Sequence, residues 1–156
     1  MSAGGVWKPA ERPASEAPLL LDTHVWVWLL NGDATRMGAG TIPLLQKAAA
    51  SQLLYACDIS FWEVAMKAAA GKLVFSLDSA IWLQQAERAP GIVYLPLDRP
   101  ILIQSTRLEK EMHGDPADRM HIAAAQLHSA ALVTADKQII AYAKTTRRVS
   151  VCDVRK

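Results

Sequence analysis

The sequence predicts an α/β fold: a central parallel sheet of four to five strands with helices on both sides. Three observations carry that expectation. The stretch from Leu19 to Leu30 reads LLLDTHVWVWLL, and its opening apolar run suits a strand covered on both faces, as parallel strands are. Further along, short apolar runs alternate with segments of helical periodicity, the order from which parallel sheets are built. Finally, Asp22, Glu63, Asp118 and Asp136 each fall at the end of an expected strand or in the first turn of a helix. In a parallel sheet those strand ends share one edge, so residues far apart in sequence converge there.

Bulk properties bound the answer. The chain has 156 residues, 51% hydrophobic and 21% charged, which fits one domain with a single core rather than a disordered chain. A net charge of +2 permits a nucleic-acid partner without arguing for one. Cys57 and Cys152 are too few for a disulfide framework and form no C-x-x-C motif, so both are expected reduced. Residues 1–18 are rich in Pro, Ala, Gly and Glu and lack the apolar core of a signal peptide. They are expected to form a flexible extension, with Trp7 its one sticky residue, outside a domain spanning 19–156. No apolar run is long enough for a membrane span, because Asp22 and His24 interrupt the best candidate. A soluble, cytoplasmic protein with no membrane partner is expected.

Each element has its own signal. The first strand is Leu19 to Asp22, followed by a short helix to Leu30 that Asn31-Gly32 ends. Thr41 and Pro43 open a second helix through Leu44, Leu45 and Ala48, and Leu53 to Cys57 is the second strand. Ser60 starts a third helix with Val64, Ala65 and Ala68 inward and Gly71 as its stop. A fourth begins near Asp78 or Ser79 and ends before Pro90-Gly91, ahead of a third strand at Ile92 to Leu95. Asp98 and Pro100 open a helix to about Lys110, and Asp115-Pro116 opens an alanine-rich one ending near His128. Ala131 to Thr134 is the fourth strand, Asp136 to Ala143 a helix, and Val149 to Cys152 the fifth strand.

The four acids have ordinary explanations one at a time. Asp22 is equally well a helix cap. Ser60-Phe61-Trp62-Glu63 fits a capping box, in which Glu63 would bond back to the backbone of Ser60. Asp115-Pro116-Ala117-Asp118 fits a cap, a proline at the first helical position and an acid favoured by the helix dipole. Asp136 would cap the helix after Thr134. What capping leaves unexplained is that every such acid falls at the same edge. Carboxylates ~4 Å apart at an effective dielectric of ~20 repel by about 4 kcal/mol, so a cluster must hold protons or recruit a cation. Oxygen-only ligands favour Mg²⁺ or Mn²⁺, which acidify a bound water and stabilise charge on phosphorus. The chemistry expected is metal-assisted phosphodiester hydrolysis, with no Ser, Cys or His nucleophile required.

The segments LLLDTHVWVWLL, ISFWEVAMKAAAGKL, HGDPADRMHIAAAQL and LVTADKQI, in that order, resemble the PIN-domain ribonucleases of the VapC toxin type. The resemblance spans Leu19 to Val151. It implies a three-layer α/β/α fold, with Asp22, Glu63 and Asp118 on the three main acids and Asp136 on the usual fourth. Asp115 matches a further acid of the D-P-x-D-R segment. The resemblance also implies Mg²⁺ or Mn²⁺ dependence, an RNA substrate, a partner antitoxin and a homodimer. His121 departs from it, standing where an aliphatic residue is usual.

Other residues beside these have both a functional and a structural explanation. Lys67 and Lys72 follow Glu63 at helical spacing and would hold phosphate or orient Glu63, or form a solvated face. Arg119 would touch RNA or pair with an acid. Thr134 would bond a metal-held water or simply end its strand. His121 and His128, seven apart, share a helix face, but two histidines without a third ligand are weak evidence for zinc. His24 is best explained as a packed or surface imidazole. The first helix, with Trp26 and Trp28, is apolar nearly all round, and Phe61, Trp62 and Trp82 add aromatic surface; an exposed aromatic patch and an antitoxin covering it near the first helix are expected. A phosphotransfer aspartate of the haloacid dehalogenase kind is excluded, because Asp22-Thr23-His24 lacks the second aspartate. The alternatives are a PIN-like nuclease that is not a toxin and a non-catalytic metal-binding α/β module that binds RNA.

Overall fold

The computed structural model describes residues 17–109, 112 and 114–156; nearly all of the expected N-terminal extension, including Trp7, lies outside them. Five strands form one sheet: β1 (Leu19–Leu21), β2 (Leu54–Cys57), β3 (Val93–Leu95), β4 (Ala131–Thr134) and β5 (Ser150–Asp153). Their order is β3-β2-β1-β4-β5 and every pairing is parallel. Among the described residues seven α-helices connect them: α1 (Thr23–Leu30), α2 (Thr41–Ala50), α3 (Ile59–Ala69), α4 (Ser79–Glu87), α5 (Arg99–Ser105), α6 (Pro116–Leu127) and α7 (Lys137–Thr146).

Side chains of the central strands alternate between two cores, as the two-residue period requires. Leu20 and Leu132 join α5, α6 and α7 on one face. Leu19, Leu21, Leu54, Ala56 and Val133 join α1, α2, α3 and α4 on the other. The molecule is therefore the three-layer α/β/α sandwich expected. The strand order reverses at β1, which has β2 on one side and β4 on the other. At that point loops leave the strand ends in opposite directions and open the crevice where such sheets bind ligands. Asp22 follows β1 and Asp136 follows β4, so both flank it.

Several boundaries differ from the sequence reading. The helix α5 stops at Ser105 rather than near Lys110, which itself lies outside the described residues. Arg119 supplies the reason: its Nε donates to the Ser105 carbonyl at 2.9 Å and its guanidinium reaches the Met112 carbonyl at 3.2 Å. The turn that follows buries Leu108 and Met112 as loop residues of the core. In α3 the inward face is Ser60, Glu63 and Val64, and Ala65 is exposed. Gly38 is required by packing, since a Cβ there would lie 2.5 Å from the Lys156 carbonyl carbon, where the chain after β5 returns against the start of α2. No helix among the described residues is long and apolar enough to cross a membrane.

Candidate active site

Asp22 leaves β1 in extended conformation and begins α1, so its carboxylate sits at the sheet edge and is buried. It does more than cap. Its Oδ1 accepts from the Thr23 amide at 2.8 Å, while Oδ2 accepts from the Thr134 hydroxyl at 2.7 Å, across the β1–β4 pair. Thr134 in turn accepts from the Asp136 amide at 3.0 Å. Thr134 therefore ties two of the expected acids together by its hydroxyl.

Asp136 caps α7 as expected, its Oδ1 accepting from the amides of Gln138 (2.8 Å) and Ile139 (3.0 Å). Asp115 likewise caps α6, accepting from the Asp118 amide at 3.0 Å. The capping box expected at Ser60 does not form. The helix begins one residue earlier, with Asp58 at the N-cap position making no side-chain capping bond, so Ser60 lies inside its first turn and turns its hydroxyl into the protein. Glu63 instead points inward, buried, with Oε1 2.5 Å from the Thr23 hydroxyl and Oε2 3.8 Å from Lys67 Nζ. Lys72 is exposed.

Asp118 shows what this arrangement costs. Burial, followed by the charges of Asp22, Asp115, Asp136 and Glu63, pushes its carboxyl up from 3.8 to about 8. Each of those neighbours disfavours the ionised form, which is the electrostatic signature of acids sharing one space. Sequence positions spread from 22 to 136 are thus brought within each other's field.

A residue undervalued in the sequence stands among them. His121 is completely buried, with Nε2 3.0 Å from the Thr23 hydroxyl, 3.3 Å from Glu63 Oε1 and 3.7 Å from Asp22 Oδ1. The pairing with His128 was the wrong comparison: His128 ends the helix and packs edge-on against Tyr55 at 6.3 Å. The informative spacing was Asp118 to His121, three apart and so on one face of α6. His24 is exposed beside Trp28.

Among the described residues no three carboxylate, imidazole or thiolate groups stand close enough to hold one ion as they are placed. In donor type and in charge the acids nonetheless fit a hard divalent cation, because they are all oxygen ligands and their mutual repulsion is what a cation relieves.

Comparison with known proteins agrees with this architecture. The family model described as PIN domain matches residues 19–145. Among curated proteins none matches the chain significantly in sequence. Solved structures share the fold at low identity. VapBC2 from Rickettsia felis, bound to a promoter DNA fragment, is 12% identical with a TM-score of 0.62, over 86% of this chain and 96% of that one. DNA-bound VapBC from Salmonella typhimurium is 14% identical with a TM-score of 0.62, over 88% and 98%. FitAcB from Neisseria gonorrhoeae is 18% identical with a TM-score of 0.57, over 86% and 96%.

Proposed function

Since the chain belongs to the PIN domain family, we propose that it is a divalent-metal-dependent endoribonuclease and the toxin of a toxin–antitoxin pair. The observation that carries the nuclease reading is Asp118, whose carboxyl is pushed up to about 8 by burial and by the surrounding acids. A site that unfavourable without a cation is one suited to binding it.

In this reading Asp22 and Asp118 are the principal holders of Mg²⁺ or Mn²⁺, with Glu63 and Asp136 completing the set directly or through water. When bound, such an ion supplies Lewis acidity, making water a better nucleophile and offsetting charge on the reacting phosphate. The chain's own residues do the positioning. Thr134 holds one oxygen of Asp22 and the backbone of Asp136. Lys67, 3.8 Å from Glu63, is placed to attract phosphate. Asp115 adds to the charge that pushes the Asp118 carboxyl up and fixes the start of α6. Arg119 braces the loop before that helix through the Ser105 and Met112 carbonyls. The Thr23 and Ser60 hydroxyls are buried and bonded to one another at 2.8 Å, so neither is placed as a nucleophile.

The toxin reading draws on the solved relatives, which include a toxin–antitoxin complex from Klebsiella pneumoniae, 16% identical with a TM-score of 0.54. An antitoxin arginine entering the acid cluster would make bidentate contacts and offset its repulsion without metal. Part of the aromatic surface expected for such a partner is exposed and part is not. Trp26 of α1 is fully buried, whereas Trp62 and Met66, one turn apart on α3, are exposed. The same surface would serve a homodimer.

The test is cleavage of labelled RNA by the purified chain with Mg²⁺, with Mn²⁺ and with chelator, beside the chain co-purified with its neighbouring gene product. Cleavage that requires metal and is silenced by the partner is expected. Metal-bound RNA that is never cut would favour the non-catalytic module, and a chain that purifies alone and leaves growth unaffected when induced would remove the toxin assignment.

A further inference from the structure

Thr23, Ser60, Glu63 and His121 form a buried polar network under the acid cluster, and its proton count can be worked out atom by atom. Thr23 Oγ1 has three partners: Glu63 Oε1 at 2.5 Å, Ser60 Oγ at 2.8 Å and His121 Nε2 at 3.0 Å. A hydroxyl has one proton to donate and two lone pairs to accept with. The shortest contact runs to a carboxylate oxygen, so the Thr23 proton belongs on that line. Both lone pairs must then receive, one from the Ser60 hydroxyl and one from His121. That places a proton on Nε2.

The far side of the ring gives the same answer independently. Nδ1 of His121 is buried and has no hydrogen-bond partner, the one such side-chain atom among the described residues. A proton there would be a buried donor with nothing to receive it, which costs about 1–3 kcal/mol. Imidazoles that ligate metals donate their other ring N–H to an acceptor, and His121 has none. Although its Nε2 lies among the acids, His121 is not built as a metal ligand.

We infer that His121 is a positioning residue: its Nε2–H, shared between Thr23 Oγ1 and Glu63 Oε1, pins that oxygen of Glu63 and fixes the carboxylate with Oε2 toward Lys67. Geometry supports the division of labour. Oε1 receives Thr23 and lies 3.3 Å from Nε2, while Oε2 turns toward Lys67 Nζ at 3.8 Å. The role of Glu63 in metal binding rests on the nuclease reading above; the placement of the His121 proton does not.

Two substitutions separate donor from filler. In His121→Gln the amide nitrogen reaches the place of Nε2, whereas His121→Leu fills the cavity and donates nothing. The probe is Mn²⁺ alone, titrated calorimetrically into the full chain, with circular dichroism to confirm folding. His121→Leu should weaken Mn²⁺ binding by about tenfold or more, and His121→Gln should recover most of that loss. Equal affinities in both variants and wild type, or a glutamine variant no better than leucine, would overturn the inference. Should either variant fail to fold, long-range ¹H–¹⁵N correlation on the wild-type chain decides: protonated Nε2 with bare Nδ1 supports it and the reverse overturns it. If the wild-type chain binds no Mn²⁺, the metal reading of the site fails, and the same spectrum still judges His121.

Discussion

Helix α3 contributes to two buried regions of opposite character. Phe61 joins an aromatic web in which ring centroids lie 5.0 Å (Trp26–Phe61), 5.3 Å (Trp26–Trp82) and 5.1 Å (Phe61–Tyr94) apart, mostly tilted or edge-on. Its polar atoms are all spoken for: Trp26 Nε1 donates to Tyr94 at 3.1 Å, Tyr94 to the Ala86 carbonyl at 2.6 Å, and Trp82 Nε1 to Asn31 at 2.9 Å. Two residues on, Glu63 enters the acid cluster, where Asp118 is forced toward its neutral form and His121 Nδ1 is left without a partner. The web is what a stable core looks like when every group is satisfied. The cluster keeps unfavourable terms that packing alone would have removed, and such terms are retained where a ligand is meant to relieve them.

The comparison breaks most visibly if the web is not the stabilising half. Trp26→Ala removes a fully buried indole and its hydrogen bond, and should lower unfolding free energy by about 3–5 kcal/mol in urea titration. A loss under about 1 kcal/mol would show that the web is incidental.

Next in size is the effect of removing one charge from the cluster. Asp22→Asn should reduce RNA cleavage by at least ~10²-fold in single-turnover assays, a loss of transition-state stabilisation of about 2.7 kcal/mol. Retained activity with a collapsed melting temperature would mean that Asp22 is a structural cap after all.

Asp118 sharpens the contrast through pH. Its folded value lies above the unfolded one, so between pH 3.8 and about 8 the native state holds a proton that the unfolded chain has shed. Stability should therefore fall as pH rises through that window, in chelator. Asp118→Asn removes the dependence: its Tm should exceed wild type by about 3 °C near pH ~8.5 and match it near pH ~4. Saturating Mg²⁺ or Mn²⁺ should flatten the wild-type profile in the same way, because a bound cation favours the ionised form.

The smallest effect belongs to the web's own polar handle. Tyr94→Phe leaves Trp26 Nε1 and the Ala86 carbonyl without their shared partner and should cost about 1 kcal/mol, with no change in cleavage once folded.

Much of this was legible in the chain. The strand run at Leu19, the caps at Asp98, Asp115 and Asp136, and the order of elements are local signals, and local chemistry decided them in the fold as well. What misled was local chemistry overruled from a distance. Ser60 and Glu63 spell a capping box, yet Thr23, forty residues before Glu63, offers the glutamate a better partner. The end of α5 depends on Arg119, fourteen residues past Ser105. The place of His121 beside Thr23 and Glu63 was not legible from its spacing to His128, because periodicity shows which residues share a face, not what that face meets.

The order of the sheet also bears on when the molecule becomes active during synthesis. β4 pairs with β1 although more than a hundred residues separate Leu21 from its partner Val133. Thr134 and Asp136, which complete the acid cluster, are therefore among the later residues to leave the ribosome. Until they do, Asp22 lacks the hydroxyl that steadies it and the crevice has one wall. On the nuclease reading proposed above, a nascent chain carrying only the first three acids would have an incomplete site. On the same reading, a partner would meet the chain in the interval between emergence of β4 and closure of the sheet before the site is complete.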